Sequence, residues 1–258
     1  METIQPNATS GIRSNALHAW GMFFTAVGIL GQSVLQNRFL GLGQVSTSTL
    51  LDAMRSSDGT MLLATTALVI QALETCAVPI YAFLLVEGFQ HTCSYRNYLL
   101  RVLGLAVVSE VPYNFAMSGH ALDLSSQNPV FGLALGLIVL YWYDKYRDKT
   151  PKNVLIKGVI TLAALIWPLM LKIRCGSGLI LILTVLWAFR KKPLIRNLTG
   201  AVASVVCTIF SPFFLAAPMG LLAVHFYNGE KGENDRLVNY LTYPALLVLI
   251  GLIGILAF

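Results

Sequence analysis

The sequence predicts an all-α polytopic bundle of roughly eight or nine transmembrane helices, and three observations carry that reading. Of the 258 residues, 56% are hydrophobic and 12% charged, whereas a soluble domain carries roughly 25% charged residues. The mean hydropathy is +0.68. The apolar residues fall into long runs separated by short polar breaks, and a bilayer core ~30 Å thick asks for ~20 mostly apolar residues per crossing. In hydrocarbon a helix satisfies its own backbone hydrogen bonds, which no open strand does.

The elements follow in order as one domain over 1–258. The opening METIQPNATSGIRSNA is polar, so 1–16 is read as a tail. The first apolar run, 17–36, lacks a small-residue cleavage site and is read as a retained span. Next comes a long polar loop, 37–60. Within it STSTLLDAMRSSDG places Ser/Thr caps before Leu50, Leu51 and Met54, predicting a short interfacial helix against the simpler alternative of a polar loop. Further spans are placed at 61–88, 98–117, 129–143, 154–171, 177–189, 197–211, 213–227 and 237–258, with a kink at Pro79. Several later runs are only about 13–15 residues, so one pair is open to a re-entrant reading that lowers the count to eight. No internal repeat is visible.

Alternating sides through these spans puts 14 of the 18 lysines and arginines on one face, all but Arg38, Arg55, Lys172 and Arg174. The positive-inside rule makes that face cytoplasmic, with the N-terminus inside, the C-terminus outside and the cell membrane as the location. The net charge of +6 is spread through short loops. It forms no stripe or patch, which sets nucleic acid aside and leaves the lipid bilayer as the partner. The cysteines at 76, 93, 175 and 207 show no C-x-x-C spacing, so neither a metal site nor a disulfide framework is expected. Asn7 lies in an N-A-T sequon, but on the cytoplasmic side it escapes glycosylation.

Ionisable groups inside the bilayer are the functional candidates, because each costs about 2.5–3.5 kcal/mol to insert and needs a partner or a role. Across the short turn after the second span, Glu87 lies level with Arg101, and an ion pair is expected, serving as bundle glue as readily as machinery. Glu110 sits ~13 Å deeper than Arg101, with Asn114 one turn on and Glu74 of the preceding span at similar depth. His91, four residues after Glu87, is placed as a general base at the cytoplasmic mouth or as a solvated interfacial histidine. His225, near Tyr227 and Asn228, is either a second candidate or a hydrogen-bonded packing residue.

The segments PIYAFLLVEGFQHT (79–92), NYLLRVLGLAVVSEVPYNFA (97–116) and QNPVFGLALGL (127–137) resemble the TraX family. FYNGEKG at 226–232 is similar to that family's Tyr-Asn-Gly-x-x-Gly segment, and NYLTYP at 239–244 to its last-helix Tyr-Pro motif. Members are named for the protein that N-acetylates pilin in conjugation. The resemblance therefore implies a multi-helix membrane protein related to polytopic acyltransferases, with acetyl-CoA as cytoplasmic donor and a small-molecule or peptide acceptor. The alignment departs from the family where its first helix carries an Asp-His pair. Gly28 and Ile29 stand there, and Leu246 stands where a histidine often follows the Tyr-Pro.

Two functions are thus expected. In the first, His91, Glu87 and Glu110 form the catalytic set of an acyl(acetyl)transferase, with Arg101, Asn114, Asn128, Glu74, Tyr227, Asn228 and His225 binding substrate and Arg96, Arg101 and Lys231 attracting the anionic donor. In the second, the same polar cavity binds or transports a ligand without catalysis.

Overall fold

The computed structural model describes residues 11–34, 52, 58–148, 150–230 and 236–256. The expected interfacial helix, and Arg38, Arg55, Lys149 and Lys231, lie outside them. The described chain is all helical, without strands. Its helices are α1 (Ser14–Leu30), α2 (Asp58–Glu74), α3 (Ala77–Gln90), α4 (Tyr95–Ser118), α5 (Val130–Lys145), α6 (Pro151–Met170), α7 (Gly176–Ala188), α8 (Pro193–Val206), α9 (Pro218–His225) and α10 (Arg236–Leu256). Two 3₁₀ turns, Cys207–Ile209 and Pro212–Leu215, join α8 to α9.

Local chemistry sets the boundaries. Ser94 caps α4 by accepting from the Asn97 amide, and Gly119, at φ 76°, ends that helix in the left-handed region that glycine enters without a Cβ penalty. Thr150 caps α6 by accepting from the Asn153 amide, followed by Pro151 at the first helical position, where its missing N–H costs nothing. The kink expected at Pro79 appears as a break between α2 and α3 at Thr75 and Cys76. A proline ring clashes with the carbonyl four residues back, which here is that of Thr75. The groups at the break find other partners: the Thr75 hydroxyl donates to the Phe213 carbonyl at 2.8 Å and the Cys76 thiol to that of Ala216 at 3.2 Å.

Successive passes alternate between two ends of the bundle. At one end a short backbone bridge ties Ile12 to Tyr227, ring contacts link Phe89 to Tyr95 and Trp187 and Tyr95 to Tyr141, and Asn197 meets His225. Arg13, Arg96, Lys145, Arg147, Lys152 and Arg190 to Lys192 all belong to this basic end. At the other end Gln127 bridges Ile173, Glu74 meets Arg174, and Ser33 donates to the Ala116 carbonyl. Small residues allow the close approaches inside. Gly136 packs on Leu85 and Leu183, and at Gly220 a Cβ would lie 2.0 Å from the Cys76 carbonyl oxygen.

The outside of the bundle is oily. In α6 only 11% of the apolar stretch is buried, and Leu155, Val159, Leu162, Trp167 and Met170 face outward. A surface of that kind has no stable place in water. Among the described residues three helical stretches are long and apolar enough to cross a membrane, Met61–Gln90, Tyr95–Ser118 and Pro151–Met170, and Gly176–Ala188, Pro193–Ile209, Pro212–His225 and Tyr240–Ile255 are shorter apolar helices. Of the eight or nine spans expected, several of them short, three are long enough to cross among the described residues, and capping glycines, prolines and the 3₁₀ turns keep the later runs short.

Candidate functional site

The polar residues singled out in the sequence divide between the two ends. Glu110 lies fifteen residues into α4, ~22 Å along the axis from the turn that carries His91. His91, Arg101, Glu110 and Asn128 therefore do not meet in one cavity.

At the basic end, His91 Nε2 lies 3.3 Å from Glu87 Oε2, one turn earlier on α3. The expected Glu87 and Arg101 ion pair does not form. Arg101 sits on the exposed face of α4, its guanidinium 6.0 Å from the Tyr98 ring centroid. Residue counting placed the two at equal depth, but packing turns Glu87 instead toward α8 and α9, where it interacts electrostatically with Arg196 and Tyr227. Arg196 is buried, 4.5 Å from the Phe83 ring centroid, and its Nε donates to Asn197 Oδ1 at 3.1 Å. No carboxylate stands within ion-pair distance of it among the described residues. Tyr227 packs edge-on against Phe83, and His225 Nδ1 is 3.5 Å from the Asn197 side-chain amide. Asn228 belongs to the same end, its amide donating to the Ile12 carbonyl and its side chain accepting from the Glu230 amide. An acid, an imidazole it orients, a buried guanidinium and a phenol thus share one mouth.

At the opposite end the central feature is a pair the sequence reading missed. Arg174 clasps Glu74 with Nε to Oε1 at 2.7 Å and Nη2 to Oε2 at 2.5 Å, a bidentate contact with Glu74 buried and Arg174 mostly so. The turn that presents Arg174 is flanked by two non-glycine residues at positive φ, Lys172 at 54° and Cys175 at 55°. Such backbone costs of order 1–3 kcal/mol per residue and persists only where its surroundings hold it. Here the Gln127 amide donates to the Lys172 carbonyl and the Arg174 amide to the Gln127 carbonyl, at 3.0 and 3.1 Å. Arg174 had been counted as one of the four cations on the sparse face. A cation that breaks the positive-inside distribution was the available signal.

Glu74 and Glu110, placed at similar depth from the sequence, each have a partner of their own. Glu110 Oε2 accepts from both the backbone and the side chain of Asn128, and Asn128 also donates to the Ala106 carbonyl and caps the Val130 amide. Asn114 is buried one turn beyond Glu110, and the Tyr113 hydroxyl reaches Ser126 at 3.1 Å. A cavity of about 250 Å³ opens beside Glu74 and Arg174, lined also by Gln71, Thr75, Ser177 and Ser211. Glu110 Oε1, Ser109 Oγ, Gln32 Oε1 and Tyr243 Oη are buried in the same half without a hydrogen-bond partner in the described residues. No cluster of three metal-ligating side chains occurs among the described residues.

A "Probable fimbrial assembly protein FimC, serogroup H1" of Dichelobacter nodosus is 27% identical over 198 residues, which span 67% of this chain and 78% of that protein. No solved structure matches. The family model described as TraX protein matches residues 50–254, a stretch holding the broken α2–α3 helix, the Glu87 and His91 pair and the Tyr243-Pro244 step, and on that match this chain belongs to the TraX family.

Proposed function

We propose that the chain is a multi-pass protein of the cytoplasmic membrane, with its basic end in the cytosol, and that it transfers an acyl group there from a donor such as acetyl-CoA. The observation that carries this reading is the Glu87 and His91 pair together with the buried Arg196, which Glu87 faces without closing to ion-pair distance. The Glu87 carboxylate, 3.3 Å from Nε2, favours the tautomer that carries its proton on that nitrogen, and Nδ1 is left to take the proton from an acceptor hydroxyl or amine. The acceptor atom then bonds to the thioester carbonyl, the carbon–sulfur bond breaks, and the proton passes from His91 to the departing thiolate. Arg196 and the Tyr227 hydroxyl are the donors on hand for the oxyanion that develops between these steps. Arg96 and Lys192 add positive potential for an anionic donor. The fimbrial name of the relative favours a peptide acceptor over a small molecule.

Purified protein in detergent, given labelled acetyl-CoA, tests the reading. Acyl transfer to a supplied peptide or to water is expected, falling about 10²-fold or more in His91→Ala, as loss of a general base predicts. Turnover that is absent, or indifferent to His91→Ala and Glu87→Gln, rules it out. The cavity beside Glu74 and Arg174, with the partnerless atoms around Glu110, favours a second reading in which the opposite end binds or passes a small polar solute. Proton-coupled uptake lost in Glu110→Gln is its expected signature, and uptake that survives that change removes it.

A further inference from the structure

Between α5 and α6 the outer surface carries a groove of about 400 Å³ whose walls are hydrocarbon and aromatic. Its α5 wall runs from Leu135 to Tyr146 and its α6 wall from Ile156 to Trp167, with Ala163 and Ala164 making the hollow. Eleven residue-to-residue steps on each side give it a length of ~16 Å, about half of the ~30 Å hydrocarbon core. The groove starts at the basic end and so reaches through one leaflet. Spread over that length, and with the ~1.4 Å radius of a water molecule added on each side, that volume corresponds to a slot about 8 Å across. That admits a methylene chain, whose carbons make contact at ~4 Å, and is narrower than a helix, which with side chains is ~10–12 Å wide.

The charge at its mouth selects among lipids. The Lys145 ammonium sits 4.9 Å from the ring centroid of Trp142, itself part of the groove wall, and Trp142 stacks on Tyr146. Lys152 lies one turn before Ile156 on the same face of α6. Neither lysine has a carboxylate within 4 Å among the described residues, whereas Arg147 is engaged by Asp144 at 2.7 and 2.8 Å. Two unneutralised ammonium groups above an apolar slot one leaflet deep match an anionic headgroup above its acyl chain. We infer that the α5–α6 groove is a binding site for an anionic phospholipid of the basic-end leaflet, seated with one acyl chain between Ala163 and Trp142 and its phosphate against Lys145 and Lys152. The site is separate from the acyl-transfer reading, and either stands without the other.

Trp142 and Trp167 on the groove walls serve as reporters. The protein is reconstituted in phosphatidylcholine vesicles containing phosphatidylglycerol, with brominated chains on one lipid or the other, and tryptophan quenching is measured. Brominated phosphatidylglycerol is expected to quench at a mole fraction about 5–25-fold below that of brominated phosphatidylcholine, each lysine near the surface contributing about fivefold. Lys145→Gln with Lys152→Gln, both at the surface, is expected to erase the preference, and Ala163→Phe to reduce quenching by both lipids. Native mass spectrometry from detergent is expected to retain one phosphatidylglycerol per chain. Equal quenching by the two lipids, a preference that survives the lysine changes, or a dimer that Ala163→Phe converts to monomer would each overturn the assignment, the last by making a second copy the occupant.

Discussion

Replacing Glu74 by glutamine takes the countercharge from Arg174 and keeps the side chain's shape. In the structure Arg174 spends Nε and Nη2 on the two Glu74 oxygens at 2.7 and 2.5 Å, with Glu74 buried and Arg174 mostly so. Removing one partner of a buried pair leaves the other charge uncompensated and costs about 3–5 kcal/mol. At ~2–4 °C per kcal/mol for a chain of this size, the melting temperature should fall by ~6–20 °C. Arg174→Met should cost a similar amount. The Glu74→Gln, Arg174→Met double variant has no stranded charge and should recover much of the loss, giving a coupling above about 2 kcal/mol in the double-mutant cycle. Gly28→Ala attacks the same pair from α1, since its Cβ would fall 2.2 Å from Glu74 Cβ and 2.8 Å from Oε2. The assay is thermal unfolding of detergent-purified protein followed by tryptophan fluorescence. Single variants melting within ~2 °C of the parent, or a double variant equal to the sum of the singles, would refute the claim that this pair holds α2 to the α6–α7 turn.

Gly220→Ala should abolish folded protein or lower its melting point sharply, because the new Cβ meets a backbone carbonyl oxygen at 2.0 Å, whereas Gly158→Ala, with nothing within 4 Å, should gain about 0.5–1 kcal/mol from helix propensity. Asn128→Ala strips Glu110 of its side-chain donor, leaving only the backbone amide of residue 128, and the Val130 amide of its cap, and a loss of about 2–4 kcal/mol is expected in the same melting assay. Cys93 is exposed at the basic end while Cys76 and Cys207 are buried. A membrane-impermeant maleimide should therefore miss Cys93 in intact cells and label it after permeabilisation, and labelling from outside would reverse the proposed orientation.

Depth was legible in the sequence, and direction around each helix axis was not. Glu87, His91, Arg196 and Tyr227 lie at the basic end because spans and loops count them there, and the lysine and arginine bias follows the same alternation. Glu87 and Arg101 were matched by depth alone, yet α3 turns Glu87 toward α8 and α9 while α4 turns Arg101 outward. Arg174 could not be paired with Glu74 from sequence, because 100 residues separate them and the contact depends on the turn held by Gln127.

By itself the sequence determined that the chain is helical, that its helices carry an oily exterior, that their ends alternate between a basic and a sparse side, and that Pro79 interrupts the second span. Those properties depend on composition, on local caps and on a proline's lost donor, all of which act within a few residues. Only the tertiary structure decided which buried charges meet, that the polar residues form two separate clusters, and that α5 and α6 leave a slot between them. Each of these turns on the rotation of one helix against another, and that rotation is fixed by side-chain packing among residues distant in the chain.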